Sequence, residues 1–193
     1  MENEFAPIPE RKRSFLGGIL KFTILAFLIV TPFKWFVAQP FIVSGASMVP
    51  TFVQNEYIVI DKMSYRFEKP KRGDVIIFHY PLDASYFFIK RIVGLPGEIV
   101  NVGEGGITIT QASSTPRTLV EPYLPSDGIR YRYSTTTLAA DEYFVLGDNR
   151  DESADSREWG PLQEKFIVGR AFMSLFPLSH KGFFPGAYEF PAL

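Results

Sequence analysis

The sequence predicts a mainly β domain preceded by one N-terminal transmembrane helix. An apolar stretch of membrane length occupies residues 15–37. After it, apolar residues occur in short runs separated by glycine and proline, the pattern of strands and turns. The chain has 193 residues, enough for one globular domain and an appendage. We therefore expect an anchor at residues 15–37 and a β-rich domain at residues 38–193.

The stretch 15–37 reaches membrane length only when it includes charged residues near its ends. Its charge-free core, residues 22–33, has twelve residues, whereas a span needs about 20. Lys21 and Lys34 lie close enough to the ends for their stems to reach the lipid headgroups. Basic residues before the span predict a cytoplasmic segment at residues 1–14 and an extracytoplasmic domain after the anchor; they are Arg11, Lys12 and Arg13.

A cleaved secretory signal is the alternative interpretation, because it has the same order of basic residues and apolar core. No small-x-small cleavage site lies between Val37 and Pro40. The first such pair, Ser44 and Ala46, would direct cleavage to the bond before Ser47. We therefore expect an uncleaved anchor.

Short apolar runs with turn residues between them predict the strands of the domain. The clearest runs are residues 57–61, 74–80, 86–93 and 143–146. Between them, from about residue 99 to residue 141, the composition shifts to glycine, serine and threonine with isolated tyrosines. This region is predicted to be a peripheral β-ribbon insertion.

The composition excludes several classes of function. A net charge of −1 and a pI of about 6.2 do not indicate a nucleic-acid surface. The absence of cysteine excludes disulfides, thiolate-bound metals and a cysteine nucleophile. The two histidines and the scattered carboxylates lack metal-ligand spacing, and the glycine-rich stretches lack a phosphate-loop lysine. No metal or other cofactor is predicted.

Ser47 and Lys90 are the candidate catalytic pair. Ser47 follows small residues just outside the apolar stretch, a place where a serine contributes little to a core. His79 ends a predicted strand and His180 has no acidic neighbour in the sequence, so neither suits a Ser-His-Asp arrangement. Lys90 ends an apolar run, and burial there would lower its pKa. A fall from about 10.4 toward 7–8 corresponds to roughly 4 kcal/mol. Taken singly, each residue is better explained as a turn serine or a solvated lysine.

The polar segment 147–157 predicts a loop fixed by side-chain hydrogen bonds. A neutral lysine in a catalytic dyad needs a partner that orients it, and Ser153 is the candidate. Asp155 and Arg157 are predicted to form an ion pair that holds the loop. On composition alone, a solvated turn is the alternative.

Together these segments resemble the bacterial type I signal peptidases (leader peptidases). The matching segments follow the order of the family behind an N-terminal anchor, and they are residues 44–51, 71–75, 89–98 and 147–157. The resemblance extends over roughly residues 15–172. It implies a signal-peptidase-like β-rich catalytic domain, and the short ribbon region indicates a compact member of the family without a large inserted second domain.

The resemblance implies a membrane-bound serine endopeptidase that removes signal peptides from exported preproteins at the outer face of the cytoplasmic membrane. Ser47 would be the nucleophile, Lys90 the general base and Ser153 the residue that orients Lys90. The Ser47 backbone N–H would help to stabilise the oxyanion. Gly45 stands where some members have a serine, so a side-chain donor is absent at this position.

Signal peptidases generally accept small side chains at the −1 and −3 positions of the substrate. The resemblance assigns the apolar walls of those pockets to Phe41, Val43, Met48, Phe52, Phe88 and Ile89. Ordinary core packing is the alternative for these six. The implied partners are signal peptides and the lipid bilayer, with no nucleic acid.

Two other functions are compatible with parts of the pattern. Self-cleaving repressors of the SOS type also use serine and lysine, but they carry a DNA-binding domain and no anchor. A catalytically inactive, membrane-anchored binding protein of the same fold would not need Ser47, Lys90 and Ser153.

Overall fold

The computed structural model describes residues 15–36, 38–111, 115–125 and 133–191. The chain forms two compact units, Met1–Phe36 and Val37–Leu193. The predicted cytoplasmic segment at residues 1–14 lies outside the described residues, as does Val37 at the end of the predicted span.

The first unit contains one described helix, α1 (Phe15–Phe36), in the stretch predicted as the anchor. Many of its large apolar side chains are exposed: Ile19, Leu20, Phe22, Ile24, Leu25, Phe27, Leu28 and Val30. Because successive helical residues are about 100° apart, these positions cover all sides of the helix. Within the described ranges, no helix combines the length and the hydropathy needed to cross a membrane.

The second unit is mainly β, as predicted. In the described parts of the chain its strands are β1 (Ala38–Ile42), β2 (Tyr57–Asp61), β3 (Val75–His79), β4 (Phe87–Gly94), β5 (Ile99–Gly103), β6 (Gly106–Thr110), β7 (Arg117–Thr118), β8 (Ser134–Thr137), β9 (Glu142–Leu146), β10 (Leu162–Gln163), β11 (Ile167–Phe176) and β12 (Gly182–Phe183). A short helix, α2 (Ser156–Trp159), precedes β10.

Eight strands form the larger sheet, in the order β1-β2-β11-β3-β4-β9-β10, with β12 paired to β11. All of these pairs are antiparallel. The four predicted runs correspond to β2, β3, β4 and β9. Residues 75–78 of β3 and 89–94 of β4 are all buried, so neither strand shows the alternation of a half-exposed strand. The buried part of β4 includes two charged residues, Lys90 and Arg91.

A smaller antiparallel sheet, in the order β7-β6-β5-β8, lies within the region predicted as a ribbon. Alternate residues of its central strands point inward, including Val100 and Val102 of β5 and Ile107 of β6. They pack in one cluster with Phe144 and Leu146 of β9, so the smaller sheet shares a core with the larger one.

The core under the larger sheet includes the segment that follows β1. Val43, Met48 and Phe52 are almost completely buried and form one cluster with residues of the larger sheet, among them Ile58, Ile77 and Ile89. The turn that carries Ser47 is therefore attached to the core on both sides of the serine.

Candidate active site

Ser47 lies in a turn whose backbone is held by several hydrogen bonds. Gly45 has a φ of 99°, a conformation that favours glycine. Its N–H donates to Gln54 Oε1 at 2.6 Å. Beyond the serine, the Val49 N–H donates to Ala46 O at 3.1 Å. Ser47 itself is partly exposed, so its hydroxyl is held at the surface of a rigid support.

Lys90 reaches Ser47 from strand β4. Its Nζ is 2.7 Å from Ser47 Oγ and donates to Ile89 O at 3.0 Å. Only 3% of Lys90 is exposed, and the amine lies 5.1 Å from the centre of the Phe88 ring. The two residues that the sequence singled out, 43 positions apart, are thus in direct contact.

The surroundings of Lys90 favour its neutral form. Burial lowers the pKa of Lys90 from 10.5 to about 8, against the opposing effect of the Asp155 and Asp148 carboxylates. A pKa of about 8 leaves about a tenth of the amine neutral at pH 7. A neutral amine at this distance can accept the proton of the serine hydroxyl.

The segment 147–157 is a loop tied by side chains, and it contains the predicted Asp155–Arg157 ion pair. Arg157 Nε and Nη2 each donate to the Asp155 carboxylate at 2.8 Å. Asp155 also caps α2 by accepting from the Arg157 N–H, and it accepts from the Gly147 N–H at 3.1 Å. One buried carboxylate therefore holds both ends of the loop.

The same loop holds the backbone of the Ser47 turn, a feature that the sequence did not predict. Asn149 N–H donates to Ser47 O at 3.0 Å, and its Nδ2 donates to Ala46 O at 3.2 Å. Gly147 permits this approach, since an added Cβ would lie 2.4 Å from Ser47 O and 2.2 Å from Ser153 Oγ.

Ser153 lies beside Gly147, but the hydrogen bond expected between it and Lys90 is not formed. Ser153 Oγ is buried and has no hydrogen-bond partner among the described residues. The Lys90 amine is directed instead to Ser47 Oγ and Ile89 O. In this structure, therefore, Ser153 does not orient Lys90 by direct contact.

Arg91 is another part of the site that the sequence did not identify. Although charged residues are usually solvated, both Arg91 and Asp148 are fully buried and paired. Arg91 Nε and Nη2 donate to the two Asp148 oxygens at 2.8 Å and 2.6 Å, and Thr51 donates to the same carboxylate. This pair joins β4, the loop and the segment after Ser47.

A cleft of about 320 Å³ opens beside Ser47 and Lys90. Three of the six predicted pocket residues line it, namely Phe41, Phe88 and Ile89. The other three predicted residues do not line the cleft; they are Val43, Met48 and Phe52. These three lie in a core cluster that also contains Ile89, and Phe41 packs against this cluster. The prediction missed five other residues of the lining: Ile42, Ser44, Tyr86, Phe87 and Ala154.

Neither histidine contacts Ser47 in the described part of the chain. His79 Nδ1 lies 2.8 Å from Ala84 O, and the His79 ring packs against the Phe87 ring with an angle of 41° between the ring planes. His180 has no acidic neighbour in the sequence, but in the folded chain its Nδ1 lies 3.1 Å from the buried carboxylate of Glu56. These two residues are 124 positions apart, so no local pattern could reveal the pair.

Comparison with known proteins supports the resemblance. The family model described as signal peptidase, peptidase S26, matches residues 16–176. The chain is 36% identical to a signal peptidase I of Leptolyngbya laminosa, over 90% of this chain and 86% of the relative. It is 33% identical to a probable signal peptidase I-1 of Synechocystis sp., over 94% of this chain and 92% of the relative.

A crystal structure of a signal peptidase I from Enterococcus faecalis V583 is 29% identical to the chain, with a TM-score of 0.44 over 53% of this chain and 97% of that one. The family assignment depends on the sequence matches alone. By these matches, this chain belongs to the signal peptidase family, peptidase S26, and is an enzyme of that family.

Proposed function

We propose that this chain is a membrane-anchored serine endopeptidase that cleaves N-terminal signal peptides from exported preproteins with a Ser47/Lys90 dyad. The observation that carries the proposal is the 2.7 Å contact between Lys90 Nζ and Ser47 Oγ. Burial gives this amine a lowered pKa, so that it is a usable base near neutral pH. The relatives named signal peptidase I supply the class of substrate.

In the proposed reaction, neutral Lys90 accepts the Ser47 proton as Oγ attacks the carbonyl carbon of the scissile bond. The resulting oxyanion accepts a hydrogen bond from the Ser47 backbone N–H, an interaction of a kind worth roughly 3–4 kcal/mol in acyl-transfer enzymes. The Lys90 ammonium then gives its proton to the leaving amine, and the C–N bond breaks. Water attacks the acyl-enzyme with Lys90 again as base, which releases the signal peptide and restores Ser47.

The cleft beside the dyad is suited to small apolar side chains next to the scissile bond. Phe41, Phe88 and Ile89 supply apolar walls, and Ser47 and Lys90 lie in the same lining. Among the described strands, β1 pairs only with β2, which leaves the other edge of β1 open. Strand β9 pairs with β4 only from Arg91 onward, so the part of β4 before Arg91 has an open edge on that side. We propose that an extended substrate pairs with these open edges.

Helix α1 is proposed to anchor the enzyme so that Ser47 works at the outer face of the cytoplasmic membrane. The support is the apolar, exposed surface of α1, which includes Phe22 and Phe27. The basic residues at 11–13 favour a cytoplasmic N-terminus. An exported preprotein would then present its cleavage site on the side of the membrane that holds the catalytic domain.

The test is cleavage of a preprotein by the purified full chain in detergent, followed by sequencing of the mature N-terminus. We expect Ser47→Ala and Lys90→Ala each to lower kcat by at least about a thousandfold while the domain stays folded. Ser85→Ala and Lys69→Ala are matched controls, because both residues lie in exposed positions. Full processing by Lys90→Ala would exclude the dyad mechanism. Absence of cleavage by the wild type would favour the inactive binding protein.

A further inference from the structure

A segment of the predicted ribbon region, residues 119–125, contacts the loop 147–157. Glu121 Oε2 and Oε1 accept from Arg150 Nη1 and Nη2 at 2.8 Å and 2.5 Å. Tyr123 donates to Glu121 Oε1, and its ring lies 3.9 Å from the guanidinium carbon of Arg91. This part of the chain matches none of the motifs that pointed to catalysis, yet it reaches two arginines of the site.

The Glu121–Arg150 pair is almost completely removed from solvent. The exposed fractions of the two side chains are 6% for Glu121 and 1% for Arg150. The two parallel hydrogen bonds fix the plane of the guanidinium as well as its position. Removing one partner would leave the other charge buried without compensation, so the pair strongly favours one conformation of Arg150.

Arg150 passes this constraint to the backbone that holds Ser47. Its Nε donates to Gly147 O at 3.0 Å, which closes the turn between residues 147 and 150. Within that turn, the Asn149 N–H donates to Ser47 O at 3.0 Å. Hydrogen bonds therefore link the Glu121 carboxylate to Arg150, and Arg150 to the turn of residues 147–150. Asn149, within that turn, is hydrogen-bonded to the Ser47 carbonyl.

We propose that Glu121 is a positioning residue for the catalytic dyad, which it influences through Arg150 and Asn149. Its carboxylate holds the 147–150 turn where Asn149 fixes the Ser47 carbonyl, and thereby keeps Ser47 Oγ aligned with Lys90. The inference rests on the proposed function of Ser47 and Lys90. Glu121 lies outside the segments that resemble the family, and by this proposal the catalytic rate depends on it as well.

A purely structural role would give a different result, and the chain contains a matched control. The Arg72–Glu98 pair is similarly buried, with 7% and 4% of the side chains exposed, and Glu98 lies in the turn after β4. Glu98→Gln and Glu121→Gln therefore remove equivalent charges. Only the second substitution acts on the turn that contacts Ser47.

The experiment compares the full-length wild type with Glu121→Gln, Glu121→Asp, Glu98→Gln and Ser47→Ala in detergent. Preprotein cleavage gives kcat and KM, and amide hydrogen exchange is followed at Asn149. We expect Glu121→Gln to lower kcat by about 100-fold, since a small misplacement of a reacting group has an effect of this size. KM should change less than about twofold, because the cleft lining is not altered. Exchange at Asn149 should become faster.

Glu121→Asp should recover part of the rate because it keeps the charge, and it replaces Glu121→Gln if that variant does not fold. Glu98→Gln should keep both kcat and the Asn149 exchange rate. Wild-type kcat in the Glu121 variants, beside an inactive Ser47→Ala, would overturn this inference alone. Activity of Ser47→Ala would overturn the proposed function and the inference together.

Discussion

At the scale of residues, the site depends on a lysine that is costly to bury. Lys90 is almost fully enclosed, and the chief effect on its pKa is loss of solvent. Its nearest hydrogen-bonding groups are the neutral Ser47 hydroxyl and the Ile89 carbonyl. Because no carboxylate of the described residues bonds to the amine directly, the charged form is weakly compensated. The features that would make Lys90 a base should therefore reduce the stability of the fold.

We expect Lys90→Met to abolish activity and to increase stability at low and neutral pH. The wild-type pKa falls from 10.5 in the unfolded chain to about 8 in the folded chain, a difference that corresponds to about 3 kcal/mol. Below pH 8 the wild type bears this full penalty, and the penalty disappears as pH rises from 8 to 10.5. Urea unfolding of both proteins at several pH values measures the difference. If the difference in stability between the two proteins does not shrink from pH 8 to pH 10.5, burial of the charged Lys90 amine is not its cause.

The sequence identified Ser47 and Lys90 because their chemistry is visible in short motifs. It did not identify the burial of Arg91 or the environment of Ser153, since both depend on segments far away in the chain. Arg91 is buried against Asp148, 57 positions later. The family resemblance assigned Val43 and Met48 to the pocket, but their side chains are buried in the core.

At the scale of elements, the loop 147–157 holds the backbone of the turn that carries Ser47. The sequence predicted a loop fixed by side chains and its Asp155–Arg157 pair, because acidic, basic and small polar residues are concentrated there. It did not reveal that Asn149 holds the Ser47 backbone. A hydrogen bond between an amide and a distant carbonyl has no signature in either local sequence.

Gly147 gives a direct test of this contact between the loop and the Ser47 turn. In Gly147→Ala, the new methyl group would lie 2.2 Å from Ser153 Oγ and 2.4 Å from Ser47 O, so the backbone must move. We expect a loss of stability of about 1–3 kcal/mol and a fall in kcat of at least about tenfold. Gly105→Ala is the control, since an added Cβ there meets nothing within 4 Å. Thermal unfolding and preprotein cleavage of both variants check the result; wild-type behaviour of Gly147→Ala would rule out the close packing.

At the scale of the whole molecule, the order of the strands brings the site together. Strand β11 lies between β2 and β3, so residues 167–176 complete a sheet begun more than a hundred positions earlier. Short apolar runs between turn residues predicted the strands β2, β3, β4 and β9. It could not predict this order, because pairing between distant strands is decided by burial of the whole sheet and not by any one run.

The apolar surface of α1 allows a test, in cells, of whether this helix anchors the chain to the membrane. If α1 anchors the enzyme, the wild type should stay in the membrane pellet after extraction with alkaline carbonate. Phe22→Asp combined with Phe27→Asp should move most of the protein to the supernatant, because charges within a membrane helix are strongly unfavourable. Phe67→Asp is the control, since Phe67 is 81% exposed in the second unit. Equal extraction of wild type and double variant would contradict anchoring by α1.

The most direct test of a neutral lysine acting on Ser47 is an NMR titration of the Lys90 amine in the active full-length enzyme, labelled with ¹⁵N at lysine Nζ. We expect a pKa of about 8, and the same value should govern the rise of kcat/KM with pH. Lys90→Ala identifies the resonance. A Lys90 amine that keeps its proton up to pH 10, in enzyme that cleaves preprotein at pH 7–8, would contradict the mechanism.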